Sequence, residues 1–523
     1  MTDEQLPAEL AGWPTWTPDE TQLGELELLI TGAFAPQAGY LPPDADDGVP
    51  DRTADDDPWP LPVTLTVPAG VVPGAVTTGP VTTEAVTNRE LTGGNDGHLV
   101  LTDPEGSPLA VLEITGRVPA DSASSAYRLS GPVTALRAPE YGTFRSLRRL
   151  PADVRAELRG TPVLALATRR PLTQRHIGQL RHLKPAGARL LLLPLVAGPT
   201  RVVGSPEALV RTVLAAARQL PADTLVVPVP LPPRAAADQE LFAQAIVARS
   251  YGATHLLPEQ PFIATAETIR SDYGIRVLSA GEWAYDPLAE VWRPLGLIDP
   301  GVERGELSDG ELGALLDAGD TAPGWLLSRE VAAELRRARP PRAERGLVVF
   351  FTGLSGSGKS TLARDLRDAL LERGDRKVSL LDGDLVRQLL SAGLTFSRED
   401  RDLNIARIGY VATEVARAGG IALCAPIAPY ASARARVRSM VAEAGGFVLV
   451  HVATPLEVCE ARDRKGLYAK ARAGVIGSFT GISDPYEEPA DADLVVDTSA
   501  VSRRAAVEQV LAHLVRGGWL TKG

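Results

Sequence analysis

The run GLSGSGKST at Gly353–Thr361 follows the apolar stretch LVVFFT and precedes a helical pattern. It fits G-x-x-x-x-G-K-[ST], with Gly353, Gly358, Lys359 and Ser360 in the defining places. Small residues at Ser355, Gly356 and Ser357 let consecutive backbone N–H groups close around a polyphosphate. The helix that opens at Lys359 aims its positive end at the same anion. Lys359 can reach the β- and γ-phosphates, the Ser360 hydroxyl can complete the shell of a Mg²⁺ ion, and Thr361 continues the cradle. The pattern predicts a strand–loop–helix unit that binds a nucleoside triphosphate.

A chain of 523 residues exceeds one hydrophobic core, so two or three domains are expected. A net charge of −11 argues against nonspecific nucleic-acid or membrane binding. Cys424 and Cys459 lie in apolar surroundings and read as small buried hydrophobes. The acidic start MTDEQLPAEL has no basic-then-apolar leader, and no run approaches the roughly 18 apolar residues of a membrane span. A cytoplasmic protein is the expectation.

Residues 1–155 are rich in Pro, Gly, Asp and Thr, with short alternating runs at Leu61 and His98, and read as a β-rich module. The acidic stretch Asp44–Asp57 reads as a solvated loop. Over 156–338, apolar strands beginning at Pro162, Arg189, Thr224 and Ala253 alternate with helical patterns, which predicts βαβ units and a parallel sheet. Residues 339–345, with Pro340 and Pro341, read as a linker, and 346–523 form a third, α/β region.

Further clusters follow the phosphate loop. Asp382 and Asp384 end a predicted strand, where ligands of open α/β sheets bind, and are placed for Mg²⁺ and a substrate hydroxyl. Phe396 is a stacking surface in a charged loop that leads to Arg401 and Asn404. The segment Cys459–Gly474 carries five basic residues on a helix–loop suited to closing over phosphates.

Together these residues resemble the adenylyl-sulfate kinase family over essentially all of 346–520. LDGD at Leu381–Asp384 with Arg387, FSREDRDLNI at Phe396–Ile405, RDRKGLYAKARAG at Arg462–Gly474 and FTGISDPYE at Phe479–Glu487 occur in the family's order. The resemblance implies ATP phosphates at Gly356–Thr361 and a lid residue at Arg462. It also implies adenylyl-sulfate contacts from Asp384, Arg387, Phe396, Arg401, Asn404 and Ile427, with Lys465 at the sulfate–phosphate part and Phe479 stacked on that substrate's adenine. A kinase dimer is implied as well. Ala428 stands where many relatives have a serine, which excludes a phosphoenzyme route there; direct transfer needs only positioning, Mg²⁺ and a polarised 3′-hydroxyl.

Residues 25–340 resemble ATP sulfurylases more weakly, through GAFAPQAGYL at Gly32, ALATRRPLTQRH at Ala165 and YGATHLLPEQP at Tyr251. The resemblance implies a PUA-like first domain and a Rossmann-like second one. The family's Gln, Arg and Asn for sulfate and ATP correspond to Ala167, Arg169 and Arg170, and its two histidines to Thr173 and His176. Glu259–Phe262 replaces a G-R-D-H stretch, and the Ser308–Gly313 element lacks its arginine. Each lost cationic donor removes about 3 kcal/mol of transition-state stabilisation on the oxyanion-hole precedent. His176 is expected as a solvated or capping residue.

The leading expectation is an adenylyl-sulfate kinase with a degenerate sulfurylase-like scaffold, working beside a separate active sulfurylase. The alternatives are a bifunctional synthase that also makes adenylyl sulfate, and a sulfurylase-like region that acts as a regulatory ligand-binding module.

Overall fold

The computed structural model describes residues 10, 12–41, 63–71, 97–120, 125–198, 200, 202–259, 274–374, 376–395, 397–442, 444–463, 466–476 and 479–521. The acidic stretch Asp44–Asp57 lies outside the described residues, as do Phe396, Lys465 and the side chain of Asp384. The chain divides into two compact units. One comprises residues 1–312 and 322–338, the other 313–321 and 339–523.

The first unit begins with a β-rich sheet of β1 (Thr15–Trp16), β2 (Gly39–Tyr40), β3 (Leu65–Pro68), β4 (His98–Thr102), β5 (Pro108–Glu113), β6 (Gly116–Pro119) and β7 (Ala126–Ala135). Its path runs β1-β4-β5-β7-β2, with β3 and β6 also paired to β7. Helix α1 (Glu20–Ile30) starts at Asp19, which forms a reciprocal capping box with Gln22. Glu25 and Glu27 of α1 are buried, so each needs a counter-charge. Arg234 meets Glu25 and Arg148 meets Glu27, both at 2.7 Å.

A second sheet in the same unit is wholly parallel, in the order β10 (Leu225–Val226), β9 (Arg189–Pro194), β8 (Val163–Thr168), β11 (His255–Leu257) and β12 (Arg276–Val277). All six residues of β8, VLALAT, are buried, as expected of a strand covered on both faces. The strand expected from Thr224 through PVPL is regular only over Leu225–Val226, but its pairing with β9 runs on. The N–H groups of Val227 and Val229 donate to the carbonyls of Leu192 and Pro194, both at 2.9 Å, while Pro228 and Pro230 take the alternate positions, which donate nothing to this ladder. An antiparallel pair, β13 (Trp283–Asp286) and β14 (Val291–Pro294), follows.

The second unit has a parallel five-stranded sheet in the order β16 (Val378–Leu381), β17 (Ile421–Cys424), β15 (Leu347–Thr352), β18 (Gly446–Val452), β19 (Leu494–Val496). Alternate residues of β15 point to opposite faces. Leu347, Val349 and Phe351 pack with α2 (Lys359–Arg373) and, at the end of the chain, the helix Arg503–Arg516. Val348 and Phe350 pack on the other face with helices Arg398–Arg417 and Ala431–Val441. Both cysteines are free and buried.

Residues 339–345, expected as a linker, carry a 3-10 turn at Arg342–Glu344. The Asp317 carboxylate holds three guanidinium groups of this stretch, Arg339 at 2.8 Å, Arg342 at 3.2 Å, and Arg345. Among the described residues no helix is long and apolar enough to cross a membrane.

Candidate active site

Because the kinase-like sheet is parallel, all five strands deliver their carboxyl ends to one edge, where ligands of such sheets bind. The phosphate loop leaves β15 there. Gly353 and Gly356 adopt φ of 149° and 76°. A Cβ on Gly353 would lie 2.5 Å from the Val452 carbonyl oxygen, so glycine is required for the loop to lie this close to β18. Lys359, 6% exposed, opens α2 and folds back over the loop. Its ammonium donates to the carbonyl oxygens of Gly353 at 2.9 Å and Leu354 at 2.7 Å.

Two threonines that sequence reading passed over complete the loop. The hydroxyls of Thr454, after β18, and Thr498, after β19, both donate to the Ser357 carbonyl oxygen, at 3.0 and 2.7 Å. Arg462, at the end of α5 once α3 (Gly383–Leu389) and α4 (Arg398–Arg417) have been passed (α5 spans Leu456–Arg462), donates to the Thr498 hydroxyl at 2.9 Å and its carbonyl at 3.1 Å. The same guanidinium lies 3.4 Å from the Gly356 carbonyl oxygen, so this basic residue stands beside the loop. Tyr468, from the short helix α6 (Leu467–Arg472), is buried and donates its hydroxyl to the Ser355 carbonyl at 2.8 Å. Phe479 packs edge-on against Tyr468, ring centroids 5.0 Å apart.

Asp382 leaves the end of β16 and pairs with Arg364 of α2 at 3.2 Å. Oxygen donors from Asp382 and Ser360 suit Mg²⁺, which protein holds through one or two carboxylates together with substrate phosphates. Arg387 of α3 donates to the Thr395 carbonyl at 3.0 Å and so shapes the turn that leads to Phe396. In α4, Arg401 and Asn404 are both buried; Asn404 Oδ1 has no hydrogen-bond partner among the described residues. Arg401 donates to Thr480 Oγ1 at 3.1 Å and to Asp484 Oδ2 at 2.5 Å. The Ile427 carbonyl accepts from the Thr352 hydroxyl at 2.7 Å, which ties the end of β17 to β15. An open pocket of about 500 Å³ is lined by Leu354 of the phosphate loop with Gly481, Asp484, Pro485, Tyr486 and Glu488.

The sulfurylase-like residues gather at the carboxyl end of β8, and each cation there already has a partner. Arg169 donates to the carbonyls of Ala197 and Leu231, both at 2.8 Å, and to Glu240 at 3.2 Å. Arg170 lies 3.1 Å from Asp309 and 3.8 Å from Glu259. Arg175 donates to Glu306 at 2.8 Å, and the Thr173 hydroxyl donates to the other Glu306 oxygen at 2.5 Å. His176 is fully buried, so of the two expectations it meets the capping one and not the solvated one. Both ring nitrogens face a donor: the Thr173 backbone N–H donates to Nδ1 at 3.1 Å, closing a capping box at the start of its helix, and Arg175 Nη2 lies 3.1 Å from Nε2. Burial first, then Arg175 and Arg170, push the imidazole well below its ordinary value, so it stays neutral. Gln260, Pro261 and Phe262 lie outside the described residues.

The adenylylsulphate kinase family model matches residues 345–497, and the ATP-sulfurylase model matches residues 145–260. A sulfate adenylyltransferase of Phaeosphaeria nodorum is 33% identical over 99% of this chain and 96% of its own length. One of Neurospora crassa is 34% identical with the same coverage. A hexameric APS kinase from Thiobacillus denitrificans superposes with a TM-score of 0.77 at 35% identity, over 98% of this chain and 95% of that one. The chain therefore belongs to the family in which an ATP-sulfurylase region is fused to a P-loop adenylylsulphate kinase region.

Proposed function

We propose that the protein is an adenylyl-sulfate kinase, which transfers the γ-phosphoryl group of ATP to the 3′-hydroxyl of adenylyl sulfate. The observation that carries this reading is the shared edge of the parallel sheet. The closed phosphate loop, Asp382, and the buried Arg401 and Asn404 come from successive strand ends and the helices that follow them. An anionic, base-bearing substrate suits a buried guanidinium and an amide oxygen that lacks a donor among the described residues.

In this reading the backbone N–H groups of Gly356–Thr361 hold the ATP phosphates. Lys359 exchanges its loop carbonyls for phosphate oxygens, and Arg462 lies over the nucleotide. Ser360 and Asp382 would hold Mg²⁺, which supplies charge neutralisation on the β- and γ-phosphates. Asp384 accepts the proton of the 3′-hydroxyl as its oxygen bonds to the γ-phosphorus. The bond from that phosphorus to the β–γ bridging oxygen breaks, and ADP leaves with the electron pair. Arg387, Phe396, Ile427, Lys465 and Phe479 complete the adenylyl-sulfate side. The protein acts as a homo-oligomer; the hexameric state of the Thiobacillus denitrificans relative favours an assembly larger than the expected kinase dimer.

The domain borders proposed are a β-rich domain to residue 155, a sulfurylase-like domain over 156–338, a junction at 339–345 and the kinase from 346. The test of the activity is coupled ADP release from purified protein with Mg·ATP, with and without adenylyl sulfate. Protein that binds ATP but shows no turnover dependent on adenylyl sulfate would remove the reading.

A second reading retains sulfurylase activity, and it is favoured by the full-length similarity to sulfate adenylyltransferases. Against it stand Ala167, Arg170 and Thr173 at the family's ligand positions and the carboxylates already seated on Arg170 and Arg175. Sulfate-dependent pyrophosphate release decides between the two.

A further inference from the structure

Resting on the kinase reading, we propose that Asp484 is a positioning residue of this site, which fixes the Arg401 guanidinium toward the pocket that receives the anionic nucleotide. Arg401 sits near the start of α4 and is only 9% exposed. A guanidinium that deep requires a counter-charge, and an extended arginine side chain requires something to select one orientation. Asp484 does both. Its Oδ2 accepts from Arg401 Nη1 at 2.5 Å and from the Tyr430 hydroxyl at 2.9 Å. Thr480 Oγ1 accepts from the same Arg401 nitrogen at 3.1 Å.

One carboxylate oxygen thus ties three segments that are far apart in sequence. Arg401 comes from α4, Tyr430 from the stretch after β17, and Asp484 from the turn that follows Phe479. Each anchor is itself held. The Arg398 guanidinium lies 4.5 Å from the centre of the Tyr430 ring. Thr480 and Asp484 form an isolated backbone bridge, and the Gly481 N–H donates to the Asp484 carbonyl at 2.7 Å. Asp484 also lines the open pocket together with Leu354 of the phosphate loop, so the anchor lies at the edge of the space a substrate would enter. Asp484 lies within the FTGISDPYE run, but the run gives it no role of its own; its contacts do.

The experiment compares Asp484→Asn, Asp484→Glu and Tyr430→Phe in the full chain, with KM for adenylyl sulfate, KM for ATP and kcat measured for each. Asparagine keeps size and an acceptor but removes the charge. The expected result for D484N is a KM for adenylyl sulfate raised about tenfold, with kcat within about twofold and KM for ATP unchanged. D484E recovers part of the loss, and Y430F gives a smaller rise of about threefold. A merely structural residue would lower the active fraction, and so kcat, without separating the two substrates. Unchanged KM for adenylyl sulfate in D484N, or an equal rise for both substrates, overturns the proposal. Absence of turnover in the unmodified protein is a different failure: it removes the kinase reading itself.

Discussion

The Lys359 ammonium donates to the Leu354 carbonyl oxygen at 2.7 Å, so the lysine is folded back on the loop it serves. Phosphate oxygens must displace these carbonyl contacts when nucleotide binds. On the kinase reading, Lys359→Ala removes the cation that would meet the charge developing in transfer. The expected loss in kcat is about 100-fold or more, by analogy with removal of one such donor. Steady-state ADP release, with circular dichroism to confirm folding, checks it.

Thr498 couples the loop to Arg462, for it donates to the Ser357 carbonyl at 2.7 Å while accepting from Arg462 at 2.9 Å. Thr498→Val keeps the shape and removes both bonds. Thr454 still serves Ser357, so the loop persists, but Arg462 loses one of its fixed acceptors. Stability is expected to fall by about 1 kcal/mol and KM for ATP to rise several-fold. Denaturant unfolding and substrate titration measure the two effects.

Neutral His176 makes the first unit sensitive to acid. Its folded-state value lies well below 6.5, so between that value and 6.5 the unfolded chain binds the extra proton. Stability is therefore fully present above 6.5 and falls as pH drops through this window, by up to about 1.4 kcal/mol per pH unit. His176→Gln keeps a donor and an acceptor but does not titrate. Denaturant midpoints measured from pH 7 downward should fall less steeply for the variant; identical slopes would show that His176 does not carry the effect.

Glu306 occupies Thr173, which stands at one of the two histidine positions of the sulfurylase resemblance, and the neighbouring Arg175. Glu259 lies beside Arg170. Neutralising both, in Glu259→Gln/Glu306→Gln, frees cationic donors for an external anion. With the kinase site saturated by ADP, pyrophosphate is expected to raise the variant's melting temperature and leave the unmodified protein's unchanged. A pyrophosphate shift in the unmodified protein would mean that the cleft is already open to anions.

What could be read from sequence was whatever is fixed locally. The glycine spacing of Gly353–Lys359 dictates a backbone cradle wherever it occurs, and LVVFFT is apolar up to its last residue, Thr352, because both faces of β15 are covered. Residues whose role arises from long-range pairing left no such trace. Thr454 and Thr498 are single threonines after strands, and Tyr468 looks like one more aromatic in a basic segment. His176 reads as solvated or capping from its neighbours. The capping is local and legible, whereas the burial is not, since Thr173 and Arg175 beside it are held by Glu306 from far along the chain. The sequence of 339–345 suggests a free linker, yet Asp317 gathers its three arginines from a helix that precedes it.

The central claim is tested most directly by incubating the purified full chain with γ-labelled ATP, Mg²⁺ and unlabelled adenylyl sulfate, then locating the label in the products. The account requires label on the 3′-oxygen of adenylyl sulfate, formed in step with ADP. Label that appears only as inorganic phosphate, at the same rate with and without adenylyl sulfate, would contradict it.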